Sequence, residues 1–220
     1  MLKAFNMRKI TFAAALLLTL CLIACRKDAP QTGEQAEEKL PELGQVLSAL
    51  AAAPVKIEVF SDLQCPSCRE LFLRTIQPTI RDYPDKVSVI YYEFPLSMHP
   101  YAHQAARYVA AAAKLGQRQA LSVYEAIFNE QANWAADGNL EEPVSKALSL
   151  EDFMRVVQTL RDPNSLDEIN KTIGKEQQLG RRRGVNSTPT MFITNGGKEQ
   201  KVEGSLNYQV MKQFLDPIAK

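Results

Sequence analysis

The sequence predicts a mixed α/β domain in which one small sheet is interrupted by a long block of helices. Two β-rich segments, 55–60 and 86–94, flank a segment of helical periodicity. Helical patterning then continues almost without interruption over 101–184, and two further β-rich segments follow it. Without the helical block, the order is strand, helix, strand, hairpin and helix, which is the order of a small sheet covered by helices.

The first two strands and the helix between them are predicted from contrasting patterns. Residues 55–60, V-K-I-E-V-F, are rich in β-branched and aromatic side chains. From Pro66 to about residue 80, apolar residues recur at helical spacing, and proline is favoured in a first helical turn. The run K-V-S-V-I-Y-Y-E-F at 86–94 predicts the second strand.

Helix-breaking residues divide the helical block, and a tight turn joins the last two strands. The predicted breaks are Gly116, Gly138, Pro163-Asn164 and Gly180. Strands at 190–194 and 199–202 are joined by Asn195-Gly196-Gly197, which is a strong hairpin signal. A last helix is predicted over 207–215.

The N-terminus has the pattern of a bacterial lipoprotein leader. Three basic residues and no acids precede or flank an apolar run over 10–24, and its 15 residues are fewer than the roughly 18–20 that span a bilayer. The run closes with Leu22-Ile23-Ala24-Cys25, which resembles a lipobox. We therefore predict a signal peptide at 1–24 and lipidation of Cys25, with ordinary cleavage or an uncleaved anchor as the alternatives.

The segment 25–53 is predicted to be the lipidated N-terminus and a flexible tether. Residues 26–40 are polar with few apolar side chains, which is typical of a flexible linker. Within 41–52 the pattern predicts a short helix with Pro41 in its first turn. The folded domain then occupies 54–220, a length sufficient for one core with an inserted subdomain.

Charge and composition argue against a nucleic-acid partner. Hydrophobic residues make up 45% of the chain, as in soluble globular proteins. The leader holds three of the 26 basic residues and none of the 25 acidic ones, so the mature chain has a net charge of about −2. The one basic cluster, Arg181-Arg182-Arg183, is interpreted as a solvated helix end.

Only two of the four cysteines are available to the folded domain. Cys21 lies in the leader and Cys25 is the predicted lipidation site, which leaves Cys65 and Cys68. This pair cannot link distant parts of the domain, and two ligands are fewer than the four of a structural zinc site. A redox pair is therefore predicted, with a copper or zinc carrier that uses the reduced thiolates as the alternative.

Three segments resemble the DsbA-like branch of the thioredoxin superfamily. They are F-S-D-L-Q-C-P-S-C, F-P-L-S-M-H-P-Y-A-H-Q-A-A and G-V-N-S-T-P-T-M-F-I, and they have the order and spacing of that branch. The resemblance covers 54–220 and implies an α/β thioredoxin fold with an inserted helical subdomain over about 100–184. It also implies a protein disulfide oxidoreductase without a cofactor.

The position of the cysteine pair at a helix start predicts its chemistry. Cys65 precedes the predicted helix, where free backbone N–H groups and the helix dipole stabilise an anion. Its pKa is therefore expected below the roughly 8.5 of a free cysteine, so that it attacks or leaves as a thiolate. Cys68 is expected to be more buried and to resolve the mixed disulfide, while Pro66 and Ser67 tune how oxidising the pair is.

Thr188, Pro189 and Glu58 are the other candidate site residues. The resemblance implies a cis-proline that faces the cysteines, where the backbone of Thr188 pairs with an extended substrate peptide. A trans proline at a strand start is the alternative. Family members often have an acid six residues before the first cysteine, but this chain has Val59 there. Glu58 is a candidate for proton handling, although a salt-bridged or solvated glutamate is the favoured interpretation.

His99 and His103 are four residues apart, a spacing that is compatible with a metal site on one helix face. Pro100 is expected to open the helix, which leaves His99 at its cap. The sequence offers no obvious third ligand. We therefore predict capping or surface roles for the histidines and no metal site.

These patterns predict an extracytoplasmic thiol–disulfide oxidoreductase, anchored by a lipid to a membrane of the bacterial envelope. Its expected substrates are unfolded or cysteine-containing envelope proteins, to which it donates disulfides. A membrane partner of the DsbB or vitamin-K-epoxide-reductase type is expected to reoxidise it. The alternatives are an envelope thiol reductase and a membrane-tethered copper- or zinc-binding module.

Overall fold

A computed structural model describes residues 42–48 and 53–216 of the 220-residue chain. The predicted signal peptide, Cys25 and most of the predicted tether lie outside the described residues. The strands are β1 (Gln45–Val46), β2 (Val55–Ser61), β3 (Val87–Glu93), β4 (Thr190–Asn195) and β5 (Lys198–Glu203). The helices are α1 (Pro66–Leu71), a π-helical turn (Phe72–Ile76), α2 (Gln77–Asp82), α3 (Ala102–Ala113), α4 (Gln117–Asn129), α5 (Gln131–Asp137), α6 (Glu141–Ala147), α7 (Leu150–Arg161), α8 (Pro163–Arg182) and α9 (Tyr208–Leu215).

The five strands form one sheet in the order β1-β3-β2-β4-β5. β2 and β3 are parallel, whereas the other three pairs are antiparallel. A parallel pair needs a crossover connection, which α1, the π-helical turn and α2 supply. The β4–β5 hairpin closes through Gly196 and Gly197, both with positive φ (55° and 77°), as a two-residue turn of this kind requires. Helices α3 to α8 are inserted between β3 and β4, as the sequence predicts.

Each face of the sheet is covered by its own hydrophobic cluster. Val59 and Tyr91 belong to the larger core, together with Cys65 and Cys68, and we call their side of the sheet the cysteine face. The opposite face carries a smaller, aromatic cluster, in which the rings of Phe60 and Tyr92 stack 4.7 Å apart. Because side chains alternate along a strand, the register decides which residues approach the cysteines.

The prediction of a helix over 41–52 is wrong where the structure describes this segment. Gln45 and Val46 form β1, which pairs with the outer edge of β3. Val46 packs on the aromatic cluster while Leu47 enters the larger core, an alternation that is typical of a strand. Burial on both faces and pairing with β3 outweigh the helical preference of this segment.

The helix after Cys65 contains a π-helical turn that the sequence analysis did not predict. This turn, Phe72–Ile76, separates α1 from α2, and Pro78 follows near the start of α2. Pro78 has no N–H to donate, and a proline ring crowds the carbonyl four residues earlier. A wider turn before the proline accommodates both constraints while the helix continues.

Gly180 does not end a helix, in contrast to the prediction, since α8 continues through it to Arg182. A Cβ atom on Gly180 would lie 2.7 Å from the ring of Phe94 and 2.9 Å from that of Phe60. The glycine therefore allows α8 to pack closely against the aromatic cluster. The other predicted breaks, Gly116, Gly138 and Pro163, do lie at helix ends.

Candidate active site

Cys65 is the N-cap residue of α1 and follows the short loop after β2. Its backbone is extended (φ −76°, ψ 123°), and Pro66 opens the helix. Cys65 is 8% exposed, whereas Cys68 is fully buried, and both are free thiols. One sulfur therefore lies near the surface at the helix N-terminus, and the other lies one turn further into the core.

The pKa values of the two thiols are shifted in opposite directions. A hydrogen bond from Cys68 is the largest effect on the Cys65 thiol, and it lowers the pKa to about 6 against the effect of burial. Backbone N–H groups of Cys68 and Ser67 and the nearby side chain of Thr188 lower this pKa further. Burial raises the pKa of Cys68 well above the ordinary value for cysteine. A thiol of pKa about 6 is about nine-tenths ionised at pH 7, so Cys65 is suited to be the nucleophile.

The Thr188–Pro189 peptide bond is cis, which confirms the geometry expected from the resemblance. It lies against Cys65, whose thiol donates to the carbonyl oxygen of Thr188 with a sulfur–oxygen distance of 3.5 Å. The pairing of β4 with β2 places this bond beside the start of α1. The fold therefore brings Cys65, Cys68 and Thr188 together.

Asp62 organises the loop before Cys65, a role that the sequence analysis missed. Its fully buried carboxylate accepts hydrogen bonds from the backbone N–H groups of Leu96 and Gln64, each 2.7 Å long. The ring nitrogen Nδ1 of His99 lies 2.8 Å from the same carboxylate. The backbone N–H of Asp62 donates to the sulfur of Cys68 at 3.4 Å. Asp62 thus connects the redox loop to the segment after β3.

The helical block also contacts the redox loop. Gln131 on α5 donates through Nε2 to the carbonyl oxygens of Leu63 (2.7 Å) and Cys65 (3.1 Å). Arg69 on α1 donates through Nε to the carbonyl oxygen of Phe128 on α4 (2.7 Å). These pairs are far apart in sequence, so local patterns contain no signal for them. The inserted helices therefore hold both the loop and α1 in position.

Glu58 lies on the opposite face of the sheet, away from the cysteines. Its carboxylate is 2.9 Å from Lys56 Nζ and 3.2 Å from Arg183 Nη1, and it accepts a hydrogen bond from the Tyr92 hydroxyl. Burial raises its pKa, but these three partners together lower it below the ordinary value. The contacts are those of the salt-bridged glutamate that the sequence analysis favoured. None of them connects Glu58 to a cysteine.

Arg183 is largely buried by its contacts. The interpretation of the basic cluster as a solvated helix end is therefore wrong for this residue. Its side chain is 21% exposed, and its guanidinium lies 3.7 Å from the centre of the Phe192 ring. It also pairs with Glu58 and Glu199. Arg183 therefore links α8 to the aromatic cluster, whereas Arg181 and Arg182 are exposed as expected.

Two buried acids near the redox loop were not predicted as site residues. Glu93 ends β3 and is 2% exposed, while Glu176 on α8 is 1% exposed. The Tyr124 hydroxyl donates to Glu93, and Glu176 accepts from the backbone N–H groups of Glu93 (2.8 Å) and Gly44 (2.9 Å). Burial raises the pKa of Glu93 to about 8 and that of Glu176 to about 7. The available signal for Glu93 was a glutamate within the apolar strand V-S-V-I-Y-Y-E.

His99 and His103 have different surroundings. His99 faces Asp62, whereas His103 is exposed on α3. Over residues 42–48 and 53–216, no group of three His, Cys, Asp or Glu side chains is arranged to hold a metal ion. Within the same two ranges, no helix is both long and apolar enough to cross a bilayer.

Comparison with known proteins places this geometry in a family. The sequence profile of the Thioredoxin family matches residues 49–217. No curated protein sequence matches the chain significantly. Among solved structures, the chain is similar to DsbA2 from Pseudomonas aeruginosa, with 25% identity, a TM-score of 0.63 and coverage of 82% of this chain and 96% of that chain.

Two further solved structures show the same fold. The thiol-disulfide exchange protein α-DsbA2 from Wolbachia pipientis is 19% identical, with a TM-score of 0.65 and coverage of 80% of this chain and 87% of that chain. A periplasmic thioredoxin-like protein from Salmonella enterica serovar Typhimurium is 21% identical, with a TM-score of 0.61 and coverage of 79% of this chain and 88% of that chain. The predicted fold class is confirmed: the chain belongs to the thioredoxin family and has the fold of DsbA-type thiol–disulfide exchange proteins, with α3 to α8 inserted between β3 and β4.

Proposed function

We propose that this protein is a thiol–disulfide oxidoreductase that donates disulfides through its Cys65-Pro66-Ser67-Cys68 pair. The single observation that carries the proposal is the difference between the thiols, since Cys65 has a pKa of about 6 and Cys68 is buried with a raised pKa. A thiolate near the surface beside a protected thiol is the arrangement that disulfide exchange requires. The likeness to a thiol-disulfide exchange protein supports the same activity.

The acidity of Cys65 also favours a direction for the reaction. Hydrogen bonds stabilise the Cys65 thiolate, and that thiolate exists only in the reduced protein. Stabilising the reduced form makes the disulfide easier to reduce and therefore a stronger oxidant. In the forward reaction, a substrate thiolate attacks the Cys65 sulfur, and Cys68 leaves. A second substrate thiol then attacks the mixed disulfide and releases Cys65 as a thiolate.

The substrates and partners in this proposal are those of the bacterial envelope. Unfolded or cysteine-containing envelope proteins would bind as an extended segment beside the backbone of Thr188, which lies next to the attacking sulfur. A membrane protein of the DsbB or vitamin-K-epoxide-reductase type would reoxidise the cysteine pair. A lipid on Cys25 would hold the domain at the membrane. The periplasmic location of a similar protein from Salmonella enterica supports an extracytoplasmic site of action.

The reduction potential of the Cys65–Cys68 pair tests the direction of the reaction. We expect equilibration with glutathione buffers at neutral pH to give a potential nearer to the roughly −120 mV of a strong oxidant than to the roughly −270 mV of thioredoxin. The physical reason is the stabilised Cys65 thiolate. A potential at or below that of thioredoxin would reassign the protein as an envelope thiol reductase.

A further inference from the structure

Three buried polar atoms on β2 and β3, near the redox pair, make no hydrogen bond of ordinary geometry among the described residues. They are the hydroxyl oxygens of Ser61 and Tyr91 and the second carboxylate oxygen of Glu93. All three side chains lie on the cysteine face, because Ser61 is two residues after Val59 and Glu93 is two residues after Tyr91. An unsatisfied buried polar atom is costly, so a cluster of three beside a reactive thiol indicates a function.

Ser61 lies close to both Glu93 and Cys68. In the parallel pair of β2 and β3, Ser61 is the register partner of Glu93, so both side chains leave the same face about 5 Å apart. The Ser61 hydroxyl is also close enough to the Cys68 sulfur to lower its pKa against the larger effect of burial. Burial raises the pKa of Tyr91 well above its ordinary value, and the charges of Cys68 and Glu93 raise it further.

Cys68 needs a source of protons whenever the disulfide opens. Attack of a thiolate on the Cys65 sulfur breaks the Cys65–Cys68 bond and leaves the electron pair on Cys68. Burial strongly disfavours an anion on that sulfur. Cys68 is fully buried, so its proton must pass through neighbouring protein groups or through a transient opening of the site.

We propose that Glu93 holds this proton and gives it to the Cys68 sulfur through the Ser61 hydroxyl when the disulfide opens. Ser61 and the second carboxylate oxygen of Glu93 make no hydrogen bond to each other in this structure, so a change of side-chain rotamer must first bring them together. Glu93 then loses a proton to Ser61, Ser61 passes its own hydroxyl proton to Cys68, and Glu93 becomes a carboxylate. Formation of the disulfide reverses each transfer. Glu93 acts through Ser61, so it is a positioning residue of the exchange reaction. This inference rests on the proposed thiol–disulfide exchange and deepens it.

The surroundings of Glu93 suit a group that is protonated near neutral pH. Burial raises its pKa to about 8, the Tyr124 hydroxyl on α4 lowers it, and Glu176 on α8 and Asp62 in the redox loop raise it. Tyr91 on its own strand and Cys68 on α1 complete the set of titratable groups nearby. Glu176 differs from Glu93 because both of its oxygens accept backbone N–H groups. Glu176 therefore holds the backbone of β3 and of the segment before β1 in place.

The test is the rate at which dithiothreitol opens the Cys65–Cys68 disulfide, measured against pH in the wild type and in Glu93→Gln. At pH 7 we expect the wild type to react about tenfold faster, a smaller effect than the roughly hundredfold lower end of general acid–base catalysis. Dividing the wild-type rate by the variant rate removes the pH dependence that comes from ionisation of dithiothreitol, because it is the same for both proteins. We expect this ratio to fall towards one as pH rises past about 8, where Glu93 has lost its proton. A ratio of one at all pH values, or a ratio that does not change with pH, would overturn the inference.

Three further variants separate proton transfer from structural damage. Ser61→Ala keeps the acid but removes the connecting hydroxyl, so it should lose the same pH-dependent acceleration. Glu176→Gln makes the same chemical change in the neighbouring acid and should keep the acceleration, shifted to lower pH because Glu176 raises the pKa of Glu93. If Glu93→Gln fails to fold, Tyr124→Phe replaces it and should shift the loss of the acceleration to higher pH, because the Tyr124 hydroxyl lowers the pKa of Glu93. Loss of the acceleration in Glu176→Gln alone would assign the proton to Glu176 and overturn the inference.

Failure of this inference is distinguishable from failure of the proposed function. If the wild-type disulfide reacts with dithiothreitol and Cys65 titrates at about 6 in both proteins, the exchange function stands whatever the effect of Glu93→Gln. If the wild type neither forms nor opens a Cys65–Cys68 disulfide, the proposed function itself is wrong.

Discussion

Replacing Cys65 with serine is expected to abolish thiol–disulfide exchange, with a loss of at least about a thousandfold in rate. The hydroxyl of serine has no stabilised anion near neutral pH, whereas the Cys65 thiol has a pKa of about 6. Cys68 cannot take over the reaction, since it is fully buried and its pKa is raised. The measurement is the oxidation of a reduced model peptide or the reduction of a small disulfide by the purified domain.

Ser67→Ala is the matched control for this variant. Ser67 lies between the cysteines, but it lowers the pKa of Cys65 through its backbone, which the substitution leaves in place. Its side chain is exposed, so removal of the hydroxyl should leave both the fold and the exchange rate within a few-fold of wild type. Retention of exchange in Cys65→Ser would show that another residue is the nucleophile.

The stability of the reduced protein is expected to depend on pH through the same thiol. Folding lowers the pKa of Cys65 from an ordinary value of 9.0 to about 6. Between these values the folded protein has lost a proton that the unfolded chain retains, so the free energy of unfolding rises with pH. This contribution is fully present above about 9 and is lost as pH falls through about 6. Its upper limit is about 4 kcal/mol, and solvent screening near the surface reduces it.

The quantity to measure is the unfolding free energy of the reduced wild type minus that of Cys65→Ser, as a function of pH. The subtraction removes the contributions of Glu93 and Glu176, which have the opposite sign. Their folded pKa values are raised, so the stability they contribute is present near pH 4 and is lost as pH rises through about 7 and about 8. A difference that is flat or falls between pH 6 and pH 9 would contradict a depressed pKa for Cys65.

The elements that were predictable from sequence are those with local patterns. The strands, the hairpin at Gly196-Gly197 and the helix start at Pro66 each depend on residues within a few positions of one another. Cys65 and Cys68 were also predictable, because a cysteine pair at a strand-to-helix junction combines two local features. The cis bond before Pro189 required the family resemblance, since neighbouring residues do not distinguish it from a trans bond.

The parts that were not predictable depend on contacts between distant residues. Residues 45–46 form a strand because β3 offers an open edge, which the segment itself does not reveal. Gly180 was predicted to break a helix because the approach of Phe60 and Phe94 is visible only in the fold. Glu93 was missed because its importance arises from its register with Ser61 on another strand. The position six before the first cysteine, where the family often has an acid, is Val59, so the family pattern directs attention to β2 and not to Glu93 on β3.

The neighbouring Cys68 thiol and the start of α1 together stabilise an anion on Cys65. The most direct test is a pH titration of the thiolate by ultraviolet absorbance in the reduced protein, with Cys65→Ser as the blank. We expect one thiolate that appears with a pKa of about 6, while Cys68 stays protonated through neutral pH. Ionisation of Cys65 only near the ordinary value of 9.0 would show that its thiolate is not stabilised.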